Sequence, residues 1–297
     1  MTQLLQAITS GLGQGAAYAL IAVGFVIIYK ATSVISFAQP ALMAAGATAV
    51  ALLTGQAGLG FYTAVVVAVV GAALLGAGVE RTVLRPMVGK PVFILAIITL
   101  GLDVVIRNVT NRFIGFNVRP MNDPWGLDRT TLLGITIQHR HLAALVTTAV
   151  LLAALYAFFQ YSRTGLAMRA AAIDQEASQA QGVNVGTVFG LSWAFAAALA
   201  AIAGVFIGAG STVDQQTWVV GLKALPAIIL GGLDSVVGAV VGGLAVGVVE
   251  ALFATYQGTY MPWLGSNFSI VAPYVLMLMV LLVRPYGLFG TPEVQRV

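Results

Sequence analysis

Long stretches without a charged side chain dominate this chain. The longest are residues 31–79, 177–213 and 251–283. A helix needs about 20 apolar residues to cross the hydrocarbon core of a bilayer, so each stretch is long enough for one or two crossings. Only 8% of the 297 residues are charged, whereas roughly a quarter are charged in a soluble domain. The sequence therefore predicts an all-α membrane protein, built as a polytopic helical bundle.

Apolar length and turn residues predict eight or nine transmembrane helices, with broken or re-entrant helices among them. The expected spans are residues 8–29, 34–54, 60–79, 92–112, 141–161, 186–210, 219–233, 236–256 and 268–284. The seventh is short and contains Pro226, Gly231 and Gly232. We expect it to be a half-helix, which is tolerated in a membrane only where it is buried against protein. Residues 1–297 form a single transmembrane domain.

Basic residues favour one orientation of the bundle. One set of loops holds Arg81, Arg85, Lys90, Arg163, Arg169, Arg284 and Arg296. The opposite side holds Arg112, Arg119, Arg129 and Arg140, around one long loop. Positive charge accumulates in short cytoplasmic loops, whereas long loops cross largely regardless of charge. Nine spans would then place the N-terminus outside and the C-terminus inside.

One polar segment, residues 162–185, differs from the other connections. It is rich in alanine, and its good helix formers run from Leu166 to Gln181, where Gly182 provides a helix stop. The composition predicts a short cytoplasmic surface helix between two spans. A plain solvated connector is the alternative, and a partner domain that docks on the segment would decide between them.

The sequence contains few groups that could perform chemistry. It has no cysteine, which excludes thiol catalysis and thiolate metal sites. No phosphate-binding loop or nucleophile motif occurs, so we expect no catalytic residue and no ATP hydrolysis by this chain. His139 and His141 lie without an acidic neighbour, and we interpret them as an interfacial pair rather than a metal site. The arginines form no basic run, so membrane lipid is a better partner than nucleic acid.

Ionisable residues inside membrane spans are candidate functional residues. Asp103 and Arg107 are spaced to pair along one helix face, with the acid first. Lys223 and Glu250 are the isolated base and acid of the seventh and eighth spans, and either could pair with the other or lie beside a transport path. A proton-coupled carrier usually has several buried acids or a histidine relay, and this chain has few.

Three stretches of the chain resemble one family. They are residues 162–185 through Arg163, Gly165, Arg169, Ala170, Asp174, Ala177, Gly182 and Asn184; residues 221–250 through Gly221, Lys223, Ala224, Gly231, Gly232, Gly238, Gly242, Gly243, Gly247 and Glu250; and the ending RPYGLFG. With GLGQGAAYALIAVGFVIIYKATSVISFA near the start, the resemblance covers nearly the whole chain. The chain is similar to the membrane permease subunits of ABC importers for branched-chain amino acids, of the type encoded beside a second, related permease.

The resemblance implies half of a transport path, in a subunit of the bacterial cytoplasmic (inner) membrane. Such subunits pair with a second permease or a second copy, bind two cytoplasmic ATPase subunits and receive substrate from an extracytoplasmic solute-binding protein. ATP and Mg²⁺ would be bound by the ATPases, and the chain itself would need no cofactor. Coupling to the ATPase would fall on Arg169, Ala170, Asp174, Glu176, Ala177 and Gly182.

The expected substrate path includes Phe37, Gln39, Pro40, Gly231, Gly232 and Glu250. The family usually has Asn-Phe-Ala-His-Gly where this chain has Ser36 to Pro40, and we expect Pro40 to break a helical hydrogen bond there. The loss of the histidine leaves several small solutes as candidates: branched-chain amino acids, or related small amides and carboxylic acids. An ion-coupled secondary transporter or channel is the alternative function.

Overall fold

The computed structural model describes residues 2–87, 90–132, 135–265 and 267–291. Its helices are α1 Thr2–Thr32, α2 Gln39–Gly55, α3 Phe61–Val79, α4 Val92–Ile114, α5 His139–Tyr161, α6 Arg163–Ile173, α7 Gln175–Ala180, α8 Val185–Gly208, α9 Trp218–Gly221, α10 Ala224–Gly231, α11 Val236–Tyr260 and α12 Phe268–Val283. A π-helical turn, Glu80–Leu84, and a 3₁₀ turn, Arg85–Met87, extend α3. Two short strand pairs complete the fold, β1 Arg119–Pro120 with β4 Thr212–Val213 and β2 Arg129–Leu132 with β3 Ile135–Gln138.

Six helices in the described ranges are long and apolar enough to cross a membrane. They are α1, α3 with its extension, α4, α5, α8 and α11. Three shorter apolar helices accompany them: Gln39–Gly55, Trp218–Gly231 and Phe268–Val283. The predicted membrane class is therefore confirmed. The seventh expected span is indeed broken, because α9 and α10 are separated by a turn at residues 222–223.

Helix α1 lies at the centre of the bundle, with 89% of its most apolar window buried against protein. It packs antiparallel on α11 through glycines. A Cβ built on Gly15 would lie 2.8 Å from the carbonyl oxygen of Gly243, and Gly247 is pressed against the backbone of Gly11 and Gly15. Apolar side chains gain little from leaving lipid, so close backbone approach between small residues supplies the packing energy in a membrane.

The bundle has two ends. The surface-helix end carries α6 and α7, and the side-chain amide of Gln175 donates to the carbonyl of Ala31 there, at the end of α1. The loop end carries the four strands, and Arg140 at the start of α5 donates to the carbonyl of Ala209 after α8. The N-terminus of α1 therefore lies at the loop end, and α11 runs back toward that end.

The connection between α1 and α2 re-enters the bundle. Helix α1 ends at Thr32 at the surface-helix end, but the backbone N–H of Phe37 donates to the hydroxyl of Thr99 at 3.1 Å. Thr99 is roughly 10 Å along α4 from its first residue, at a rise of about 1.5 Å per residue. Gly24 of α1 faces both the side chain of Gln39 and the backbone of Ala196, which is near the middle of α8. Helix α2 therefore begins at mid-depth.

Candidate functional site

Phe37, Gln39 and Pro40 lie at this mid-depth start of α2. Phe37 is in the turn before the helix, and Gln39 and Pro40 occupy its first turn. The expectation that Pro40 breaks a helical hydrogen bond is wrong. The first backbone N–H groups of a helix have no intrahelical partner, so proline costs no bond at that position.

The Gln39 side chain is fully buried, and neither atom of its amide group has a hydrogen-bond partner among the described residues. The buried hydroxyl of Ser36 is in the same situation. A Cβ on Gly24 of α1 would lie 3.4 Å from Oε1 of Gln39, so the amide faces a glycine and has little room. Buried polar groups in proteins almost always have a partner, and a group without one calls for a water molecule or a ligand.

The Asp103–Arg107 ion pair lies beside the start of α2. Nη2 of Arg107 lies 3.4 Å from Oδ2 of Asp103, which confirms the pairing expected from their spacing. The Arg107 guanidinium stacks over the ring of Trp218 in α9, with 4.0 Å to the ring centroid. Gly221 of α9 faces Pro40, whose Cα would lie 2.9 Å from a Cβ on that glycine. The broken α9–α10 segment thus meets the start of α2.

Lys223 and Glu250 form an ion pair, one of the two possibilities that the sequence left open. Nζ of Lys223 lies 2.5 Å from Oε1 of Glu250, and the hydroxyl of Tyr18 donates to Oε2 at 2.9 Å. Lys223 occupies the turn between α9 and α10, because the helix is broken there. No feature of the sequence singled out Tyr18.

Gly231 and Gly232 have a different environment from Gln39. Gly231 packs against the backbone of Gly238 in α11, and its carbonyl accepts from the N–H of Phe289 at 3.0 Å. Gly232 has φ +108° and lies against the backbone of Gly290. Both glycines are buried in backbone packing between α10, α11 and the segment after α12. The structure does not bring them next to the Gln39 side chain.

Two polar cavities open toward the loop end, and both are bordered by Gln14 and Glu250. The larger, of about 540 Å³, lies between α1 and α11. The smaller, of about 290 Å³, lies between α1, α5, the end of α8 and α9, and it also reaches Lys223 and Tyr18. The ion pair is therefore the point where the two cavities approach each other.

The polar surface segment forms two helices, not the single helix expected over Leu166 to Gln181. The chain breaks at Asp174, whose extended backbone (φ −150°, ψ 111°) ends α6 and begins α7. Its carboxylate accepts from the N–H of Ala177 at 2.9 Å, as an N-cap. Ser162 and Asn184 cap α6 and α8 in the same way. Asp and Ser favour such caps over helix interiors, and this is why the helix divides there.

The residues expected to couple differ in exposure. Arg169, Asp174, Glu176, Ala177 and Gly182 are exposed, and Ala170 is partly buried. Gly182 has φ +84°, so it ends the segment in a left-handed conformation that suits glycine. The sequence also predicts a small apolar face of Ala170, Ala171, Ile173 and Ala177 on this segment, but Ala171 is buried in the core. The large exposed apolar side chains are Leu166 and Ile173, which are 59% and 89% exposed; Ile173 was expected on that face and Leu166 was not.

Metal-binding geometry is absent from the described residues, where no group of three or more His, Cys, Asp or Glu side chains is close enough to hold an ion. Nε2 of His139 lies 2.7 Å from the hydroxyl of Thr130. His141 is buried against Gly13 of α1. The two histidines therefore face different neighbours at the start of α5.

Comparison with known proteins identifies the family. The family described as "Branched-chain amino acid transport system / permease component" matches residues 7–283. The chain belongs to this permease family. It is 31% identical to the high-affinity branched-chain amino acid transport system permease protein LivH of Escherichia coli K12, over 99% of this chain and 97% of the relative. It is 30% identical to BraD of Pseudomonas aeruginosa, over 99% of this chain and 98% of the relative.

More distant relatives extend the comparison. A probable branched-chain amino acid transport permease protein LivH of Methanocaldococcus jannaschii is 26% identical over 91% of this chain and 88% of the relative. A solved structure of PsaBC from Streptococcus pneumoniae in complex with Fab covers 93% of this chain and 91% of that chain, with 15% identity and a TM-score of 0.48. That likeness is too distant to add to the family assignment. The family and the helices together make this permease a multi-pass inner-membrane transport protein, not an enzyme.

The unpartnered amide of Gln39 allows a direct test of whether the start of α2 lies on the transport path of this permease. We expect Gln39→Leu to leave thermal stability unchanged or raise it by about 1 kcal/mol, because an unsatisfied buried amide costs about 1–3 kcal/mol. Solute uptake should nevertheless fall at least tenfold if the amide contacts water or solute on the path. Thr148→Val is the matched control, since its buried hydroxyl donates to the carbonyl of Ala16. It should lose stability and keep uptake; normal uptake by Gln39→Leu would remove Gln39 from the path.

Proposed function

We propose that this permease is the membrane subunit of an ATP-driven importer of branched-chain amino acids and forms half of its translocation path. The observation that carries the proposal is the match of residues 7–283 to the branched-chain amino acid permease family. The transport systems named for the bacterial relatives are high-affinity systems for these amino acids. Related small amides and carboxylic acids are the other candidate solutes, because the start of α2 departs from the usual family pattern.

A separate ATPase drives the cycle in this proposal. The sequence has no phosphate-binding loop, so the permease must receive its conformational change mechanically from a partner. The segment of residues 162–185 is suited to that role because three side-chain caps fix it between α5 and α8. Its exposed Leu166 and Ile173 offer an apolar contact beside the charged Arg169. ATP and Mg²⁺ are bound by the ATPase subunits, and this chain carries no cofactor.

The surface-helix end is cytoplasmic in the proposed topology. If the strands and the long loop between α4 and α5 are left aside, most lysines and arginines belong to segments at the surface-helix end. This distribution agrees with the positive-inside rule. Six long and three shorter apolar helices then give eight or nine crossings, depending on whether the α9–α10 segment, one of the three shorter helices, crosses the membrane fully. Nine crossings place the N-terminus outside and the C-terminus inside.

The complete importer contains a second permease, either a related subunit or a second copy, together with two ATPases. An extracytoplasmic solute-binding protein delivers the amino acid to the loop end. The proposal rests on the membership of the relatives in named transport systems, of which a permease is one component.

Uptake by the reconstituted complex tests this function. The permease, its sister permease and the ATPase are co-expressed, purified together and placed in proteoliposomes with the binding protein outside. We expect ATP inside the vesicles to drive accumulation of leucine, isoleucine and valine, and a non-hydrolysable ATP analogue to support none. Accumulation of these amino acids by the permease alone, driven by an ion gradient without ATP, would replace the importer with the secondary-transporter alternative. Transport of only amides or non-amino carboxylates would correct the substrate.

A further inference from the structure

A stripe of polar side chains runs along one face of α1 from the loop end. It consists of Gln3, Gln6, Ser10 and Gln14, whose spacings of three and four residues place them on one side of the helix. All four line the larger cavity, opposite Thr255, Thr259 and Glu250 of α11. A polar face on a membrane helix is costly in lipid, and such faces usually border a water-filled cavity. The stripe therefore marks a wet route from the loop end to Glu250.

The smaller cavity continues from this route to Lys223. Its volume is about 290 Å³, and the ion pair forms part of its wall with Tyr18 and Gln14. Much of the remaining wall is apolar, formed by Ala17, Ala144, Phe206, Ile207 and Val220. The cavity thus combines one charged region with one apolar region. That combination fits a small molecule with a charged head and an aliphatic side chain.

The ion pair can exchange partners without leaving a charge uncompensated. The side chains of Lys223 and Glu250 are 11% and 13% exposed, so both charges are mostly withdrawn from water. Removing one charge would be costly, because the other would remain buried and unpaired. A zwitterion avoids that cost: its ammonium group can pair with Glu250 while its carboxylate pairs with Lys223. The hydroxyl of Tyr18 donates to the second carboxylate oxygen of Glu250 and holds that carboxylate in place.

Arg140, the remaining charged residue on the cavity wall, already has hydrogen-bond partners in the protein. Arg140 donates to the backbone carbonyl of Ala209 at 2.7 Å and to the side chain of Gln138 at 2.7 Å. It lines the same cavity as a fixed cation at the loop end. Arg140 would attract the carboxylate of an entering solute but provides no site for its ammonium group. Among the described wall residues, Glu250 is the one carboxylate and therefore the one anion that can pair with the ammonium group.

We propose that the Lys223–Glu250 pair binds the carboxylate and ammonium groups of a zwitterionic amino acid inside this subunit, with the aliphatic side chain against Ala144, Phe206 and Ile207. The proposal rests on the proposed function and deepens it, because it assigns the groups that recognise the amino acid. The pair opens as the solute enters and re-forms when it leaves. Selection for a zwitterion follows, since a solute that lacks either charge leaves one protein charge unpaired.

Competition with matched leucine analogues tests this site in the purified permease–ATPase complex without the binding protein, so that any selection comes from the membrane subunits. The probes are leucine, 4-methylpentanoate, which lacks the ammonium group, and 3-methylbutylamine, which lacks the carboxylate. We expect binding of labelled leucine to the wild-type complex to be blocked by leucine and at least tenfold more weakly by either analogue, since one charge-assisted contact is worth about a factor of ten or more. Glu250→Gln should raise the half-saturating leucine concentration at least tenfold and abolish the discrimination against 4-methylpentanoate. Lys223→Met should abolish the discrimination against 3-methylbutylamine.

Glu80→Gln is the matched control, because Glu80 is a buried carboxylate paired with Arg85 at 3.0 Å at the opposite end of the bundle. It should keep the wild-type competition profile. A double variant, Lys223→Met with Glu250→Met, keeps the pair neutral if either single variant fails to assemble, and it should assemble but lose leucine uptake. Wild-type profiles in the Glu250 and Lys223 variants would overturn the site while the importer function stands. Failure of the wild-type complex to transport any amino acid would overturn the proposed function and the site together.

Discussion

Ile173→Asp should abolish ATP-driven uptake while the permease still inserts and still pairs with its sister subunit. Ile173 is 89% exposed at the end of α6, so the described residues cover little of this large apolar side chain. Loss of a hot-spot residue at the centre of an interface costs about 2–4 kcal/mol, so ATPase affinity should fall about 30- to 1,000-fold if Ile173 is such a residue. Co-purification of the ATPase and uptake in proteoliposomes measure the two effects.

Phe116→Asp is the control for this prediction. Phe116 is 98% exposed, but it lies at the loop end, after α4. The variant introduces the same charge on a similarly exposed apolar residue and should retain the ATPase. If Ile173→Asp binds the ATPase and imports at the wild-type rate, α6 is not the docking surface. Equal loss in both variants would point to a general assembly defect.

Gly247→Leu should destabilise the permease strongly. The position is pressed against the backbone of Gly11 and Gly15 in α1, and backbone cannot move aside as a side chain can. Overpacking of a tight contact costs about 1–3 kcal/mol, and the upper value applies here because the opposing atoms are backbone. The melting temperature should fall by roughly 6–12 °C, with reduced yield in the membrane fraction. Thermal unfolding in detergent, followed by a fluorescent probe or by aggregation, measures this shift.

Gly258→Leu on the same helix separates packing from helix propensity. A Cβ on Gly258 would meet no atom within 4 Å, and leucine is a better helix former than glycine by about 0.8–1 kcal/mol. This variant should melt at the wild-type temperature or above it. A melting temperature for Gly247→Leu as high as that of Gly258→Leu would show that α1 and α11 do not approach as closely as the structure has them.

Composition was enough to predict the helical membrane class, because charge-free length is a local property of the sequence. The family was indicated by the resemblance of residues 162–185, 221–250 and the ending RPYGLFG to its permease subunits. The pairing of Asp103 with Arg107 followed from their spacing on one helix. The depth at which α2 begins could not be predicted from the sequence. The expected second span, residues 34–54, includes Ser36 to Ala38, whereas α2 begins only at Gln39. The contact of Phe37 with Thr99 is what places that start inside the bundle. The count of eight or nine crossings stays a prediction.

The surface segment shows why the remaining features were missed. Good helix formers from Leu166 to Gln181 predict one continuous helix, because their helix propensities add up over the segment. A single N-cap at Asp174 outweighs that sum and divides the helix. The polar stripe on α1 left a readable signal, since Gln3, Gln6, Ser10 and Gln14 recur with helical spacing. Charged residues within spans are scarce, so Glu250 and Lys223 stand out in the sequence. Uncharged glutamines near the end of a helix are ordinary in membrane proteins and do not stand out.

Backbone hydrogen bonds join the segment after α12 to α10. The N–H groups of Leu288 and Phe289 donate to the carbonyls of Leu230 and Gly231, at 2.9 and 3.0 Å. Helix α10 begins one residue after Lys223. A displacement of the segment that preserves those bonds must carry α10 with it and so pull on the turn that holds the lysine. A force that moves the chain near Gly290, at one face of the membrane, would therefore also move the ammonium group of Lys223 deep in the bundle, because one short helix connects the two.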